Sequence, residues 1–274
     1  MRETIRAACV QLRSSDDVQE NFKIVSGFIR EAHAKGARFI GTPENTCLMA
    51  EDGGAKLEKS FPEDKDPALP AFRRLAEELG IWLLIGSLAI RVSDTKTANR
   101  SYLIGPDGRI LGRYDKIHLF DVNLPSGESY RESNTVAPGS SAVVVNLPWG
   151  KVGMTVCYDL RFPQLHRALA KAGADILTVP AAWTETTGKV HWQVLIRARA
   201  IETGCFVFAP TQGGVHANGR RTYGHSTIIA PWGDVLAEGG TDPGIIMADL
   251  DMNAVNEARA RIPALQHDRP YAGP

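Results

Sequence analysis

A cysteine at the end of an apolar run is the first candidate for covalent chemistry in this sequence. Cys157 follows the predicted strand Val152–Val156 and precedes a turn that leads into a predicted helix over Pro163–Lys171. A thiol between the end of a strand and the start of a helix faces oriented backbone N–H groups, which lower the pKa of a thiol and can hold an oxyanion. This placement is typical of a nucleophile elbow, whereas the alternative interpretation is a small buried core residue.

Three charged residues are candidates to assist such a thiol. Glu44 lies just beyond the predicted strand Arg38–Pro43, and ligands bind outside the carboxyl ends of the strands in open α/β sheets. Lys116 follows another predicted strand and has apolar neighbours, so it needs a counter-charge if it is buried. Glu132 lies in a segment without periodicity. Each of the three could instead be an ordinary solvated side chain, and the residue types alone leave both interpretations open.

The order and the surroundings of Glu44, Lys116 and Cys157 resemble the Glu-Lys-Cys triad of the nitrilase superfamily of carbon-nitrogen hydrolases. The resemblance covers about Ile5 to Pro270. The matching stretches are TPEN, GRYDKIHLFD and GMTVCYDLRFP around the three residues, and PAAWTETTGKVHW, RARAIETGC and RTYGHSTIIAPWG further along. Within the superfamily the chain looks most like the Nit branch of deaminated-glutathione amidases, because DVNLPSGESYRES, GGVHANGRRTYGHS and RIPALQHDRP are similar to that branch.

The resemblance implies a reaction mechanism. Glu44 would take the thiol proton as Cys157 attacks an amide carbonyl, and water would later cleave the resulting acyl-enzyme. Lys116 and the backbone N–H of Tyr158 would stabilise the oxyanion. Glu132 matches a second glutamate that orients Lys116 or the substrate. No metal and no cofactor is expected for this chemistry.

The resemblance also implies a substrate class, a small ω-amide. The leading expectation is deaminated glutathione, hydrolysed to 2-oxoglutarate and Cys-Gly. The alternatives are an ω-amidase acting on 2-oxoglutaramate, an N-carbamoyl amidohydrolase, another aliphatic amidase or, in a different class, a non-catalytic binding protein. Arginine binds carboxylates bidentately, although paired arginines in a loop are more often solvated. The candidate substrate contacts are Trp183, Thr186, Arg220, Arg221 and Tyr223.

The elements that must position these residues alternate between strands and helices. The first three, Ile5–Gln11, Asn21–Lys35 and Arg38–Pro43, form a βαβ pattern that implies parallel pairing. Three proline-containing turns each predict an antiparallel hairpin, so the sheets should be mixed. The other predicted elements are helices over Pro70–Leu79 and His191–Thr203 and strands over Ile81–Ile90, Ile176–Pro180, Phe206–Ala209, Ser226–Ile229 and Ile245–Leu250.

This alternation predicts a layered α/β domain with mixed sheets, and the resemblance implies an α/β fold of a particular kind, a four-layer αββα sandwich with two mixed sheets. We expect one carbon-nitrogen hydrolase domain over residues 1–274, and a homodimer or higher homo-oligomer. Two segments lack a regular pattern. Pro125–Ser141 is expected to be a functional or mobile loop, and the proline-containing tail Arg261–Pro274 is expected to wrap over the body or a partner.

The composition excludes several functional classes. The chain has 274 residues with 31 Lys plus Arg and 31 Asp plus Glu, and this neutral balance disfavours nucleic-acid binding. Phosphate-binding glycine loops and metal-ligand histidine spacings do not occur. Because no apolar run reaches about 18 residues and the start lacks a secretory pattern, we expect a cytoplasmic protein without a membrane partner. The scattered residues Cys9, Cys47, Cys157 and Cys205 are expected to be buried thiols.

Overall fold

The computed structural model describes residues 3–124 and 127–273. Its α-helices are α1 Val18–Ala34, α2 Gly53–Glu58, α3 Leu69–Leu79, α4 Pro163–Lys171, α5 Glu185–Thr203 and α6 Asn253–Arg261. Short 3-10 helices lie at Glu63–Lys65, Glu132–Asn134, Cys157–Arg161 and Ala264–Gln266. Among the helices of these described residues, none is long and apolar enough to cross a membrane.

The strands form two six-stranded sheets and two short hairpins. The first eight strands are β1 Thr4–Gln11, β2 Phe39–Gly41, β3 Trp82–Arg91, β4 Thr97–Ile104, β5 Ile110–Asp115, β6 Asp121–Asn123, β7 Ser129–Arg131 and β8 Val143–Leu147. The remaining strands are β9 Gly150–Met154, β10 Ile176–Thr178, β11 Phe206–Ala209, β12 Gly213–Val215, β13 Arg221–Tyr223, β14 Thr227–Ile229, β15 Val235–Glu238 and β16 Gly244–Asp251.

Both large sheets are mixed. The first sheet has the order β16-β1-β2-β3-β4-β5, and the second has the order β15-β14-β11-β10-β9-β8. The central strands of each sheet are parallel, namely β1 to β3 in the first and β9 to β11 in the second. The outer strands are antiparallel, because each is joined to its neighbour by a hairpin or returns from elsewhere in the chain. The three predicted proline turns join β4 to β5, β8 to β9 and β14 to β15.

Side-chain alternation along the strands explains how the layers pack. In β1, Ala7 and Cys9 point to the core shared by the two sheets, whereas Ala8 and Val10 point to the core beneath α1 and α3. The two sheets meet face to face, and the rings of Phe39 and Phe208 lie 4.6 Å apart between their centroids. Helices α4 and α5 cover the outer face of the second sheet. The resulting order of layers is helix, sheet, sheet, helix, which agrees with the predicted α/β sandwich.

Several elements differ from the prediction. Helix α5 begins at Glu185, six residues before the predicted start at His191, because the polar first turn hides the helical period. Helices α2 and α6 were not predicted, since the first has no buried residue and the second has two. The predicted loop Pro125–Ser141 contains β7 and a 3-10 helix, while Pro125 and Ser126 lie outside the described residues.

The C-terminal tail lies partly on the body of the protein. Arg167 of α4 donates a hydrogen bond to the backbone oxygen of Ala264 and forms an ion pair with Asp268, which also pairs with Lys171. Tyr271, near the end of the described tail, is 90% exposed. The prediction that the tail wraps over the body therefore applies to its first half, and Pro274 lies outside the described residues.

Candidate active site

Four of the predicted site residues come from segments just beyond β2, β5, β7 and β9. Glu44 follows β2, Lys116 follows β5, Glu132 follows β7 and Cys157 follows β9. Although 113 residues separate Glu44 from Cys157 in sequence, the structure brings all four side chains to the wall of one cavity. The first sheet thus supplies Glu44 and Lys116, and the second sheet supplies Cys157.

Cys157 lies on a strained turn at the start of a 3-10 helix. Its φ of 50° is in the left-handed region, which a residue other than glycine rarely adopts. The backbone N–H of Cys157 donates to the oxygen of Pro180 at 2.9 Å, which fixes the turn to the segment after β10. The N–H of Tyr158 lies in the first turn of this helix, where backbone donors have no partner within the helix.

A network of buried charges surrounds the thiol. The ammonium Nζ of Lys116 lies 3.0 Å from Oε1 of Glu44 and 2.8 Å from Oε2 of Glu132. Cys157 and Glu44 line the same cavity, and the negative charge of Glu44 acts on the thiol. The side chains of Lys116 and Glu44 are only 2% and 4% exposed. A buried lysine placed between two carboxylates satisfies the requirement that a buried charge be paired.

Backbone donors hold the two carboxylates in place. The N–H of Ala182 donates to Oε2 of Glu44 at 2.8 Å, and the N–H of Phe120 donates to Oε2 of Glu132 at 2.7 Å. The loop that carries Glu44 is itself fixed by an irregularity in β3 between Ile85 and Leu88. There a Cβ on Gly86 would lie 2.1 Å from the backbone oxygen of Thr42, so only glycine allows this close approach.

Asn99 was not predicted, yet it contacts both glutamates. Its Nδ2 donates to Oε1 of Glu44 at 2.8 Å and to Oε1 of Glu132 at 3.2 Å, while its Oδ1 is buried without a partner. Asn99 lies within β4 among buried residues, and a buried polar side chain in a strand needs partners. A polar residue inside an apolar strand was therefore the signal available in the sequence, but such a residue does not show which side chains it contacts.

The network determines which groups are charged in the free protein. Burial raises the pKa of Glu44, but the charge of Lys116 and hydrogen bonds from Lys116 and the Ala182 N–H outweigh it and lower the pKa to about 2. Burial lowers the pKa of Lys116, but Glu132 and Glu44 raise it well above its ordinary value. The site therefore holds an ammonium and a carboxylate at neutral pH.

The thiol of Cys157 is neutral in this environment. Burial and the neighbouring Glu44 charge raise the pKa of Cys157 well above its ordinary value, although Lys116 opposes this effect. The expectation from the sequence, a thiol pKa lowered by backbone N–H groups, is therefore corrected, because burial and the adjacent carboxylate dominate.

The cavity above the thiol has a volume of about 430 Å³ and a mixed lining. Aromatic side chains of Phe120, Tyr130 and Trp183 form part of its wall. Polar and charged groups that were not predicted, Asn45, Lys56 and Asn218, line other parts of it. Such a combination of aromatic wall and a few polar groups is typical of a small-molecule site.

The predicted substrate contacts divide into two groups. Trp183 and Arg220 line the cavity. Thr186, Arg221 and Tyr223 are not among its lining residues. Thr186 is exposed on the first turn of α5, Arg221 is 61% exposed and ion-paired with Glu185, and Tyr223 packs against α5 and stacks on His225.

Comparison with known proteins identifies the family. A family model described as carbon-nitrogen hydrolase matches residues 6–260. The chain is 41% identical over 268 residues to a Homo sapiens protein named deaminated glutathione amidase, covering 96% of this chain and 82% of that protein. A protein of the same name from Synechocystis sp. (strain PCC 6803 / GT-S) is 41% identical over 266 residues, covering 95% of this chain and 97% of that protein.

Solved structures with similar folds support the same family assignment. The C. elegans NitFhit protein matches with a TM-score of 0.91 and 32% identity, and the match covers 98% of this chain and 66% of that one. A mutant of the amidase from Nesterenkonia sp. AN1, with the acetamide moiety of fluoroacetamide added covalently at its active-site cysteine, matches with a TM-score of 0.82 and 26% identity over 97% of this chain and 94% of that one. The predicted fold and the resemblance are confirmed, and the chain belongs to the carbon-nitrogen hydrolase family.

Proposed function

We propose that this carbon-nitrogen hydrolase cleaves the ω-amide of deaminated glutathione through an acyl-enzyme on Cys157. The observation that carries the proposal is the buried arrangement of a thiol, a carboxylate and an ammonium group at one cavity. Nucleophile, base and oxyanion donor are the three groups that acyl transfer requires. The names of the relatives described above support the choice of substrate.

The first half of the reaction forms a thioester. As the sulfur of Cys157 attacks the amide carbon, its proton passes to Glu44, which is ionised in the free protein. The negative charge that develops on the carbonyl oxygen is stabilised by the Lys116 ammonium and the Tyr158 N–H. The carbon–nitrogen bond then breaks, and Glu44 gives its proton to the departing nitrogen, so that Cys-Gly leaves as an amine.

The second half regenerates the enzyme. Water attacks the thioester carbon while Glu44 accepts one of its protons, and the same two donors stabilise the second oxyanion. The carbon–sulfur bond breaks, the proton returns to sulfur, and 2-oxoglutarate leaves. Glu132 supports both halves because it fixes Lys116 at 2.8 Å and thereby sets the position of the oxyanion donor. No step needs a metal ion or a cofactor.

The test is steady-state hydrolysis of deaminated glutathione by the wild type and by Cys157→Ser, with 2-oxoglutaramate as the comparison substrate. We expect the wild type to prefer deaminated glutathione, and we expect Cys157→Ser to lose at least about a thousandfold in kcat/KM because a serine hydroxyl beside Glu44 is a far weaker nucleophile. Alkylation of Cys157 with iodoacetamide, located by mass spectrometry, checks that the thiol is reachable from the cavity.

Two results would change the proposal. Preference for 2-oxoglutaramate, an N-carbamoyl amino acid or a simple aliphatic amide, with Cys157→Ser inactive, would keep the mechanism and replace the substrate. Full activity of Cys157→Ser would reject the mechanism itself.

We also propose that residues 1–274 act as one catalytic domain in a homodimer. The outer face of α5 supports a dimer, because Val190, Val194 and Ile201 are 68%, 68% and 56% exposed on it. Light scattering of the wild type and of Val194→Glu checks this proposal, and a monomeric wild type would reject it. The four free thiols fit a reducing compartment, which supports a cytoplasmic location.

A further inference from the structure

Three cations besides Lys116 line the cavity, and the proposed mechanism uses none of them. Arg131 is exposed and donates to Val122, Tyr130 and Asn123, whereas Lys56 and Arg220 are partly buried. Lys56 lies on α2, and Arg220 lies in the turn between β12 and β13. They come from segments more than 160 residues apart in the sequence, so their approach to one cavity is a property of the fold.

Arg220 is hydrogen-bonded to the wall of the site, and no carboxylate of residues 3–124 and 127–273 forms an ion pair with it. Its Nη2 donates to the oxygen of Ala182 at 3.1 Å, and the N–H of that same residue holds Glu44. Its guanidinium carbon lies 5.4 Å from the ring centre of Tyr130, and its buried Nε has no hydrogen-bond partner in the part of the chain that the structure describes. A buried guanidinium donor without an acceptor is costly in an empty site, since each buried donor needs a partner.

Lys56 contacts the segment that carries Glu44. Its Nζ donates to Oδ1 of Asn45 at 2.9 Å, and Asn45 is the residue after Glu44. Burial lowers the pKa of Lys56. The carboxylates of Glu132 and Glu44 raise this pKa, and the positive charges of Arg220 and Lys116 lower it. The two cations therefore lie close enough to repel each other, and an anion between them would relieve that repulsion.

Carboxylates of the protein do not neutralise this pair. Within residues 3–124 and 127–273, neither Lys56 nor Arg220 forms an ion pair. Glu44 and Glu132 both lie within ion-pair distance of Lys116. Glu51 and Asp52 also line the cavity, but both are exposed, and Asp52 accepts a hydrogen bond from the N–H of Ala55.

We propose that Lys56 and Arg220 form an anion subsite that receives a carboxylate of the substrate, and that this subsite selects amides of acids over neutral amides. The inference rests on the proposed function and adds to it a residue-level basis for substrate choice. A guanidinium and an ammonium together offer several donors to one carboxylate, and each cation is attached to a residue that contacts or adjoins the proposed base. A neutral amide leaves both cations without an anion.

The experiment compares two amides of equal chain length that differ in charge. Glutaramate carries a carboxylate at the end distant from its amide, whereas pentanamide ends in a methyl group. We expect the wild type to prefer glutaramate. In Lys56→Gln and in Arg220→Gln, kcat/KM for glutaramate should fall about 10- to 100-fold, mostly through KM, because a charged hydrogen bond is lost. The rate with pentanamide should fall less than the rate with glutaramate, since pentanamide has no charge to bind, so the ratio of the two kcat/KM values should drop in both variants.

The chain offers matched controls. Arg221→Gln removes the neighbouring arginine, which is exposed and paired with Glu185, and should leave both substrates unchanged. Arg220→Lys keeps the charge and should retain part of the preference for glutaramate. Pentanamide hydrolysis in each variant reports directly that the protein is folded and that its nucleophile works.

The outcomes separate the inference from the proposed function. A wild type that hydrolyses both amides equally, or variants that lose both substrates in parallel, would overturn the anion subsite and leave the amidase proposal standing. A folded wild type that hydrolyses neither of these amides nor deaminated glutathione would reject the proposed function and the subsite with it. Selective loss of glutaramate hydrolysis supports both.

Discussion

At the residue scale, Lys116 has two tasks that can be separated by mutation. It lies within ion-pair distance of both Glu44 and Glu132, and it is the proposed donor to the oxyanion. A donor to the oxyanion matters only during the reaction, whereas the pairing of buried charges matters for folding. Stability and activity should therefore respond differently to changes at this position.

We predict that Lys116→Met lowers kcat/KM at least about a thousandfold and also lowers the free energy of unfolding by about 3 to 5 kcal/mol. The physical reason is that two buried carboxylates then face each other without a cation, so the pKa of Glu44 rises and the proposed base becomes protonated. Urea unfolding and steady-state hydrolysis measure the two effects. The double variant Lys116→Met, Glu132→Gln should regain part of the stability but none of the activity.

A double variant no more stable than Lys116→Met would contradict this account, because it would mean that the two carboxylates do not repel each other. Wild-type activity in Lys116→Met would remove the lysine from the proposed mechanism.

At the element scale, one buried carboxylate joins the segment after β5 to the nucleophile turn. Asp159 is fully buried and accepts four hydrogen bonds. Its Oδ2 accepts from the Tyr114 hydroxyl at 2.7 Å and from the Val156 N–H at 2.9 Å. Its Oδ1 contacts the backbone N–H of His118 at 3.0 Å and the ring Nδ1 of the same residue at 2.7 Å. The segments carrying Lys116 and Cys157 are thus held by one side chain.

We predict that Asp159→Asn lowers both stability, by about 2 to 4 kcal/mol, and kcat, because an amide NH2 group cannot accept the bonds that the carboxylate accepts. Asp175→Asn is the matched control. Asp175 is also buried and accepts a backbone N–H, from Lys151, but it lies at the opposite end of β10 from the site. The control should lose stability and keep its kcat. Equal kcat in both variants would show that Asp159 serves folding alone.

The sequence predicts an element or a functional residue well when the signal that identifies it lies nearby in the chain. The sequence predicts the observed bounds of the helix Pro163–Lys171 and of the strand Phe206–Ala209. The apolar pattern of each element, and the proline or glycine that bounds it, lie within or next to that element. Glu44, Lys116 and Cys157 were found through their motifs. Asn99 and Lys56 were not, because their significance arises from partners far away in the sequence.

The same limit applies to Arg221 and Tyr223, which the sequence offers as substrate contacts and the structure places outside the cavity lining. Arg220 lies in the turn before β13 and Arg221 is the first residue of that strand, so the sequence alone does not show which of the two guanidinium groups enters the cavity. In the structure Arg220 enters it and Arg221 turns to Glu185 on the surface.

At the scale of the whole molecule, the proposed site depends on how the two sheets are joined. The N–H of Gly213 donates to the oxygen of Leu12 at 2.8 Å, and Gln212 binds both Ser14 and the backbone of Glu44 through its side-chain amide. These contacts connect the end of β1 in the first sheet to the segment after β11 in the second. The relative position of Glu44 and Cys157 is therefore a property of the complete sandwich, and conditions that loosen the sandwich should remove activity.

Acid is such a condition, because two histidines are buried in the neutral form. Burial lowers the pKa of His166 to about 3 and that of His216 to about 4, from an ordinary value of 6.5. The unfolded chain binds protons at these side chains below pH 6.5 and the folded protein does not, so the free energy of unfolding must fall as the pH decreases from about 6.5 toward 3 to 4. Glu44, with its lowered pKa, adds a further loss below pH 4.5.

We predict that each histidine costs about 2 kcal/mol of stability between pH 7.5 and pH 5. Urea unfolding at several pH values measures the slope in the wild type, in His166→Asn and in His267→Asn. Asparagine at position 166 can still donate to the oxygen of Phe162, as the Nδ1 of His166 does at 3.2 Å, so this variant removes the titration with little loss of bonding. Its slope between pH 6.5 and 5 should fall by about half, while the exposed His267 should make no difference. An unchanged slope in His166→Asn would mean that other groups govern the acid sensitivity of the sandwich.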